Sequence, residues 1–235
     1  MLSNAARFLM VSAAASLVAL GSAPAEAADA CVDLSDTAFD LIGDSTPVAS
    51  GAVFLTAVQK AAFGYTNTDI AVLWGSTSPN SSQYFDNFFV AQPHFEEITD
   101  IASVDEGDVL ILDGTMTYSG HTAIVTGPAT PAPSGLGPSI TGTLQWALPI
   151  ADSTSSKHGC SASYPDSRCV GGVFTAGEGT AFMRIYTDAS GVPVGHTWSV
   201  SAASISNYFP ISGTVPNAGA ARPFKIGRLA PCPPL

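Results

Sequence analysis

The sequence predicts an α+β domain in which a helix near the N-terminus packs on one face of an antiparallel β-sheet. The stretch from Ser50 to Phe63 has apolar residues at helical spacing, and from residue 107 onward the chain consists of short β-branched runs. The helix comes first and the strands follow it. This order is typical of α+β domains, whereas parallel α/β sheets have strands and helices in alternation.

The composition is that of a folded, acidic chain. Hydrophobic residues make up 46% of the 235 residues and charged residues 11%, which excludes a disordered chain, a coiled coil and a collagen-like fibre. The 19 acidic and 8 basic residues give a formal net charge of -11. Because such a chain has no basic surface that could neutralise phosphates, we expect neither nucleic acid nor an anionic membrane surface as a partner.

The first 27 residues have the features of a secretory signal. Arg7 supplies the positive charge, Leu9 to Leu20 form the apolar region, and Ala25-Glu26-Ala27 has the small-x-small pattern of a cleavage site. We expect a mature chain of one domain, residues 28–235, that is secreted or periplasmic. The apolar run is too short to span a bilayer, so we expect no membrane association after cleavage. A retained N-terminal anchor is the alternative.

The four cysteines of an exported chain indicate disulfide bridges rather than free thiols. Cys160 and Cys169 share a loop rich in Ser, Pro and Gly, while Cys31 and Cys232 lie near the two mature termini. Because the termini of compact domains often lie close together, we predict the pairs Cys160–Cys169 and Cys31–Cys232. No cysteine has zinc-like spacing to a histidine, and we predict neither a metal nor a cofactor.

The helical part of the prediction rests on the segment from Ser50 to Phe63. It has apolar residues at positions 52, 53, 55, 58, 61 and 62 and is followed by Gly64, a residue type that commonly ends helices. Two later apolar stretches, Asp69–Trp74 and Tyr84–Val90, are each either a short helix or a strand. Periodicity does not separate the two possibilities in segments this short.

The strand-rich part begins with an antiparallel pair. Asp108–Leu112 and Thr122–Thr126 are β-branched runs joined by a connection that contains glycine. The segment Pro128–Gly142 is rich in proline and glycine, which predicts an exposed loop. Three further strands are predicted at Leu144–Ile150, Phe182–Thr187 and Thr197–Ser201, with a turn at Asp188–Gly195 between the last two.

One pattern in the strand-rich part indicates chemistry. Gly107-Asp108 opens one strand and Gly120-His121 opens the next. At a strand start, a rigid sheet would hold His121 while the edge of its imidazole stays accessible, as a general base requires. Asp152, after the next predicted strand, is placed to accept the imidazole proton and to orient the ring. The alternative is a histidine whose hydrogen bonds are satisfied by backbone.

These residues resemble the NlpC/P60 branch of the papain-like superfamily, which also includes the CHAP amidases. Those proteins have a thiol at the start of a helix, commonly in an Asp-Cys-Ser-Gly motif, then a Gly-Asp strand, a Gly-His strand and a third polar residue. The resemblance covers roughly residues 44–158 and is strongest at Gly107-Asp108 and Gly120-His121, with weaker extensions at Asp152–Gly159 and Phe224–Arg228. It implies a papain-like fold with a site around His121.

The chain departs from the family at the nucleophile. Val48-Ala49-Ser50-Gly51 stands where the family has Asp-Cys-Ser-Gly, so Ala49 takes the position of the cysteine. A methyl group cannot attack a carbonyl, whereas a thiol there would have its pKa lowered by the helix N-terminus and by His121. The resemblance therefore implies a monomeric secreted domain that retains a vestigial base, His121, and its orienter, Asp152. Such a domain would bind a peptide or a peptidoglycan fragment without cleaving it.

Two alternatives stay open. The chain could be an active cell-wall cysteine peptidase or amidase with a different nucleophile, for which Ser50, Cys31 and Cys160 are the candidates. Ser50, however, is well suited to be a helix N-cap, and cysteines of exported proteins are usually bridged. The chain could also be an unrelated secreted β-rich module in which the Gly-His pattern is coincidental.

The remaining polar and aromatic residues have simpler interpretations. We expect His94 in a surface loop, His158 in a structural or rim-lining role, and His196 exposed at a strand start. Asp166 and Arg168 are predicted to pair across the 160–169 loop, where exposure would make the pair weak. Six aromatic residues are either core or groove-lining, namely Trp74, Trp146, Trp198, Tyr84, Tyr164 and Tyr208.

Overall fold

The computed structural model describes residues 26–43, 50–88, 95–133, 135–200 and 206–229, with the side chains of all of these except residues 26–33, 95 and 229. Four helices come first, α1 (Glu26–Ile42), α2 (Gly51–Phe63), α3 (Asn67–Trp74) and α4 (Ser81–Asn87). The strands that follow are β1 (Phe95–Glu97), β2 (Val109–Leu112), β3 (His121–Val125), β4 (Thr130–Pro131), β5 (Leu144–Thr154), β6 (Cys169–Val170), β7 (Val173–Phe174), β8 (Gly177–Thr187), β9 (Pro193–Thr197), β10 (Phe209–Pro210) and β11 (Phe224–Leu229). The predicted α+β class with an antiparallel sheet is confirmed.

The helix predicted at Ser50–Phe63 is present as α2, with both of its ends where the sequence places them. The Ser50 side chain accepts a hydrogen bond from the Val53 amide, which caps the first turn. Gly64 ends the helix in the left-handed conformation at φ 68°, where a side chain would be strained.

Both undecided apolar segments are helices. The Thr66 side chain caps α3 and Asp69 returns a hydrogen bond to the Thr66 amide, while Asn80 and Gln83 make the same reciprocal box at the start of α4. These boxes are the local signal that favours helix over strand in segments this short. Helix α1 was not predicted from the sequence.

The sheet is a meander to which the C-terminal part of the chain returns. Among the described residues its strand order is β1-β11-β2-β3-β5-β8-β9-β10, and β4 pairs with β5. The predicted pair β2–β3 is confirmed, since Val109 lies opposite Ile124 and Leu112 opposite His121. Strand β5 continues to Thr154, so Asp152 lies inside the strand and not after its end.

The predicted fifth strand is shifted along the chain. Strand β9 spans Pro193–Thr197, four residues before the expected start, because the preceding turn is tighter than expected. The Asp188 carboxylate accepts hydrogen bonds from the Ser190 and Val192 amides and closes this turn. His196 is therefore inside a strand, and its expected exposure is wrong, since only 1% of its surface is accessible.

Both faces of the central sheet are covered. Val109, Ile111 and Ile124 pack against apolar side chains of α1, α2 and α3, which confirms the predicted packing of a helix on the sheet. The opposite face holds a second core to which Leu110 and Val125 contribute. A strand that is buried on both faces is continuously apolar, and this explains the uninterrupted apolar run of β2.

A buried polar network joins the helices that flank the sheet. Thr56 and Gln59 of α2 contact the Tyr84 hydroxyl at 2.7 and 3.3 Å, and the Trp74 indole donates to the Gln59 side chain at 2.8 Å. Buried polar groups stabilise a fold only when they are paired, and these are. The network fixes α2 relative to α3 and α4, and α2 carries one wall of the site described below.

The predicted bridge between Cys160 and Cys169 is confirmed. The predicted pair of Cys31 and Cys232 lies outside the described residues and side chains, as do Ala49, His94 and most of the predicted signal at residues 1–27. Among the described residues, no helix combines the length and the apolar character needed to cross a membrane.

Candidate functional site

His121 and Asp152 meet on the face of the sheet that carries the second core. In β3, His121 shares a face with Ala123 and Val125, and in β5, Asp152 shares a face with Ile150, because side chains alternate along a strand. The pairing of Val125 with Ile150 places the two polar residues as diagonal neighbours. Their side chains are in contact, since His121 Nε2 lies 2.7 Å from Asp152 Oδ2.

The contact with Asp152 determines which nitrogen of His121 is a base. A carboxylate only accepts, so His121 Nε2 donates to Asp152, and in the neutral ring Nδ1 carries the lone pair. The Nδ1 edge of the ring faces the first residue of α2. A Cβ atom placed on Gly51 would lie 3.0 Å from His121 Nδ1 and 2.4 Å from the Thr122 carbonyl oxygen. Only glycine therefore fits at position 51, where the resemblance also places a glycine.

His158 is a second imidazole on the same carboxylate oxygen. Its Nε2 lies 2.8 Å from Asp152 Oδ2 and its Nδ1 lies 2.7 Å from the Trp198 carbonyl oxygen. Since both neighbours are acceptors, the ring donates from both nitrogens, as an imidazolium does. The Trp198 ring stacks on His158 with a centroid distance of 4.0 Å and meets His121 edge-on at 4.8 Å.

A buried arginine completes the partners of Asp152. Arg168 donates to Asp152 Oδ1 at 2.8 Å and to Asp166 Oδ1 at 2.7 Å, and Asp166 also accepts from the backbone amide of His158 at 2.9 Å. The predicted pair of Asp166 and Arg168 is present, but the expectation that it is exposed is wrong, because both residues are buried. The pair is therefore not a surface contact, and its arginine holds the Asp152 carboxylate in place by a hydrogen bond.

The charges of this buried centre balance without His121. Asp152 and Asp166 carry two negative charges, which Arg168 and the imidazolium of His158 offset. Burial would raise the pKa of Asp152, but the charge of His158 and the hydrogen bonds from both imidazoles hold it well below its usual range. Asp152 is therefore a carboxylate at neutral pH.

The same three residues form a potential metal-binding group. One ligand atom from each of His121, Asp152 and His158 lies within 4.8 Å of the others. A divalent cation there would lie beside the Arg168 guanidinium, and both imidazoles would have to give up the protons that they donate to Asp152. The arrangement therefore favours a hydrogen-bonded centre over a metal centre.

His121 lies at the floor of a cleft of about 1010 Å³. The N-terminus of α2 forms one wall through Ser50 and Gly51, and Trp198 forms part of another. The His121 side chain is 8% exposed, so only an edge of the ring is reachable from the cleft. A largely buried imidazole beside a helix N-terminus could bind an electron-rich group or assist a nucleophile placed there.

The candidate nucleophiles have other roles or lie outside the described residues. Ser50 lines the cleft, but its hydroxyl caps α2 and makes no hydrogen bond to His121. Cys160 is bridged to Cys169 and has no thiol. Nothing is described for Ala49 or for the side chain of Cys31.

Other residues of the predicted motif are structural. The buried Asp108 carboxylate accepts two hydrogen bonds from Arg228, at 2.8 and 3.0 Å, and one from the Asp105 amide. Burial raises the pKa of Asp108, and the hydrogen bonds of Arg228 oppose that rise. Asp108 thus ties the start of β2 to β11 and does not reach the cleft.

Sequence reasoning missed His158 and Arg168 as partners of Asp152. Both lie in or beside the loop closed by the disulfide bridge, where no periodicity shows which way a side chain points. The one available signal was the loop itself, since the bridged segment contains an aspartate and an arginine and follows directly on His158 and the strand that carries Asp152. Of the six aromatic residues considered, Trp198 lines the cleft, while Trp74, Tyr84 and Tyr208 are buried in the core.

No protein-family model matches the chain, and no curated protein or solved structure matches it either.

Proposed function

We propose that this chain is a secreted NlpC/P60-like domain that lacks the nucleophilic cysteine and binds a peptide or a cell-wall fragment without cleaving it. The observation that carries the proposal is the placement of His121. Asp152 holds its Nε2 at 2.7 Å, its Nδ1 edge faces Gly51 at the start of α2, and the ring lies at the floor of the cleft. A histidine, its orienter and a helix N-terminus meet as the resemblance implies, while Val48 and Ala49 stand in place of the Asp-Cys of the family motif.

Retention of the base without a nucleophile is consistent with binding. The Nδ1 lone pair of His121 accepts a hydrogen bond from a ligand amide or hydroxyl, and the N-terminus of α2 favours a carbonyl oxygen. Trp198 at the side of the cleft offers an apolar face to a sugar or to a peptide backbone. The cleft volume of about 1010 Å³ lies at the upper limit of the usual range for pockets that bind small molecules, about 300–1,000 Å³.

Cosedimentation with purified peptidoglycan tests the binding part of the proposal. The mature protein is expected to pellet with the polymer, and mass spectrometry of the supernatant is expected to show no released fragments. Replacement of Trp198 by Ala should weaken the association, while replacement of the exposed Val72, on the far helix α3, should not change it. Release of peptides that depends on His121 would show an active hydrolase and overturn the proposal.

Restoring the missing thiol tests the family assignment separately. In the variant Ala49→Cys, a thiol should react rapidly with iodoacetamide near neutral pH, because the helix N-terminus and His121 would stabilise the thiolate. The added replacement His121→Ala should return the rate to that of an ordinary exposed thiol. Ser50→Cys is the matched control, one residue along the chain, and should react slowly. Equal rates in both single variants would remove the support for placing Ala49 at the nucleophile position.

A further inference from the structure

We propose that the cleft recognises a carboxylate group of its ligand through the guanidinium of Arg222, an inference that rests on the proposed binding function. It specifies the chemical class of the ligand, a peptide or wall fragment with a free carboxylate.

Two aromatic rings hold Arg222 in place at the cleft. The guanidinium carbon lies 3.9 Å from the centroid of the Tyr118 ring and 3.6 Å from that of Phe209. All three residues line the cleft. Contacts with two ring faces fix the plane of a guanidinium while its N–H groups stay free for in-plane hydrogen bonds.

Arg222 differs from the other described arginines in its partners. Arg168 and Arg228 donate to buried carboxylates, and Arg184 donates to Gln145 and to two carbonyl oxygens. Among the described residues, no acceptor takes a hydrogen bond from the Arg222 side chain. A half-buried guanidinium whose donors are not used by any described residue is suited to an acceptor supplied by a ligand.

The charges around Arg222 favour an anion. Of the described residues that line the cleft, none is an aspartate or a glutamate, although the chain has 19 acidic residues and a formal net charge of -11. Lys157 is the other described lysine or arginine of the lining, and it is exposed. The hydroxyl of Tyr118, whose ring holds Arg222, is itself buried and has no hydrogen-bond partner among the described residues. A carboxylate matches the planar fork of an arginine with two parallel hydrogen bonds.

The test compares fragments with and without carboxylates. Disaccharide-peptides are released from purified peptidoglycan by a muramidase, and half of the sample is coupled to methylamine, which converts carboxylates into amides. Calorimetric titration of the unmodified protein should show binding to free fragments about 10- to 100-fold tighter than to amidated ones. In Arg222→Gln this difference should disappear. Lys157→Gln, which also removes one cleft charge, is the matched control and should retain most of it.

Two results would overturn the inference. In the first, the Arg222→Gln variant still binds free fragments more tightly than amidated ones. In the second, the Lys157→Gln variant loses this preference to the same extent as Arg222→Gln. Should Arg222→Gln fail to fold, the Nε–H resonance of Arg222 in the unmodified protein can be followed during titration with sodium glutarate. A saturable shift supports the inference, and an unchanged resonance contradicts it. Absence of binding to either fragment sample would refute the proposed function, while the glutarate titration would still decide the role of Arg222.

Discussion

Replacing His196 by Leu should remove much of the acid sensitivity of the fold. His196 lies in β9, where its ring stacks on Phe209 and meets Phe224 edge-on, and neither of its ring nitrogens has a hydrogen-bond partner among the described residues. Burial, with smaller contributions from the charges of Arg222 and His121, lowers the pKa of His196 to about 3 from an ordinary 6.5. The folded protein therefore holds this imidazole neutral.

The sign and size of the effect follow from proton linkage. Below pH 6.5 the unfolded chain takes up a proton at His196, while the folded chain does not until the pH approaches 3, so the free energy of unfolding falls across that window. Each pH unit costs about 1.4 kcal/mol, which gives a loss of about 3 kcal/mol at a pH about two units below the ordinary value. Leucine has a similar volume and does not titrate, so the variant should lack this loss.

Urea unfolding at pH 7.5 and at pH 4.5 measures the effect in both proteins. The wild-type protein should lose about 3 kcal/mol more than the variant between the two conditions. His121 and His158 are present in both proteins, so their contributions cancel in the comparison. At pH 7.5 the variant should be about as stable as the wild type. Leucine removes two buried nitrogens that lack hydrogen-bond partners among the described residues, and this gain offsets the loss of the ring contacts of His196. Parallel pH dependences would show that His196 is hydrated or hydrogen-bonded in the fold, and the reasoning would fail.

Two further substitutions probe the buried centre and the wall of the cleft. Asp152→Asn should lower the free energy of unfolding in urea by about 3–5 kcal/mol, because it leaves the charges of its partners without a counter-ion. The exposed control Asp86→Asn should change the stability by less than about 0.5 kcal/mol. Equal effects of the two substitutions would contradict the buried network. Gly51→Ala should lower the stability by about 1–3 kcal/mol and shift the His121 ring resonances, because its Cβ would lie 2.4 Å from the Thr122 carbonyl oxygen. Gly43→Ala, whose Cβ would meet its nearest neighbour at an ordinary 3.5 Å, is the control, and an unperturbed His121 spectrum in Gly51→Ala would show that α2 does not abut the ring.

Much of the fold could be predicted because its signals are local. The N-cap at Ser50 and the glycine at position 64 bound α2, and β2 pairs with β3 because a short connection joins them. The return of β11 to pair with β2 depends on contacts between residues far apart in the sequence, which no local pattern records. Helix α1 is a local element, so sequence distance does not explain why it was not predicted. Its acidic residues interrupt the apolar spacing on which a helix prediction depends.

The candidate site could be predicted as far as the strands position it. His121 opens a strand and Asp152 lies on the neighbouring one, so alternation and register bring them together. His158 and Arg168 reach Asp152 from a loop, and a loop has no periodicity that would reveal its course. His196 was misplaced because the turn at Asp188 is tighter than expected, which moves the strand start and buries the ring.

The bridge between Cys160 and Cys169 has a consequence for when the centre around Asp152 can assemble. Asp166 and Arg168 lie within the covalent ring that this bridge closes, and the ring closes only under oxidising conditions. While the thiols are reduced, the segment is not cross-linked, and ordering it against Asp152 costs more conformational entropy. Maturation of the centre is thereby coupled to thiol oxidation, and a reducing agent should loosen it before the rest of the sheet unfolds.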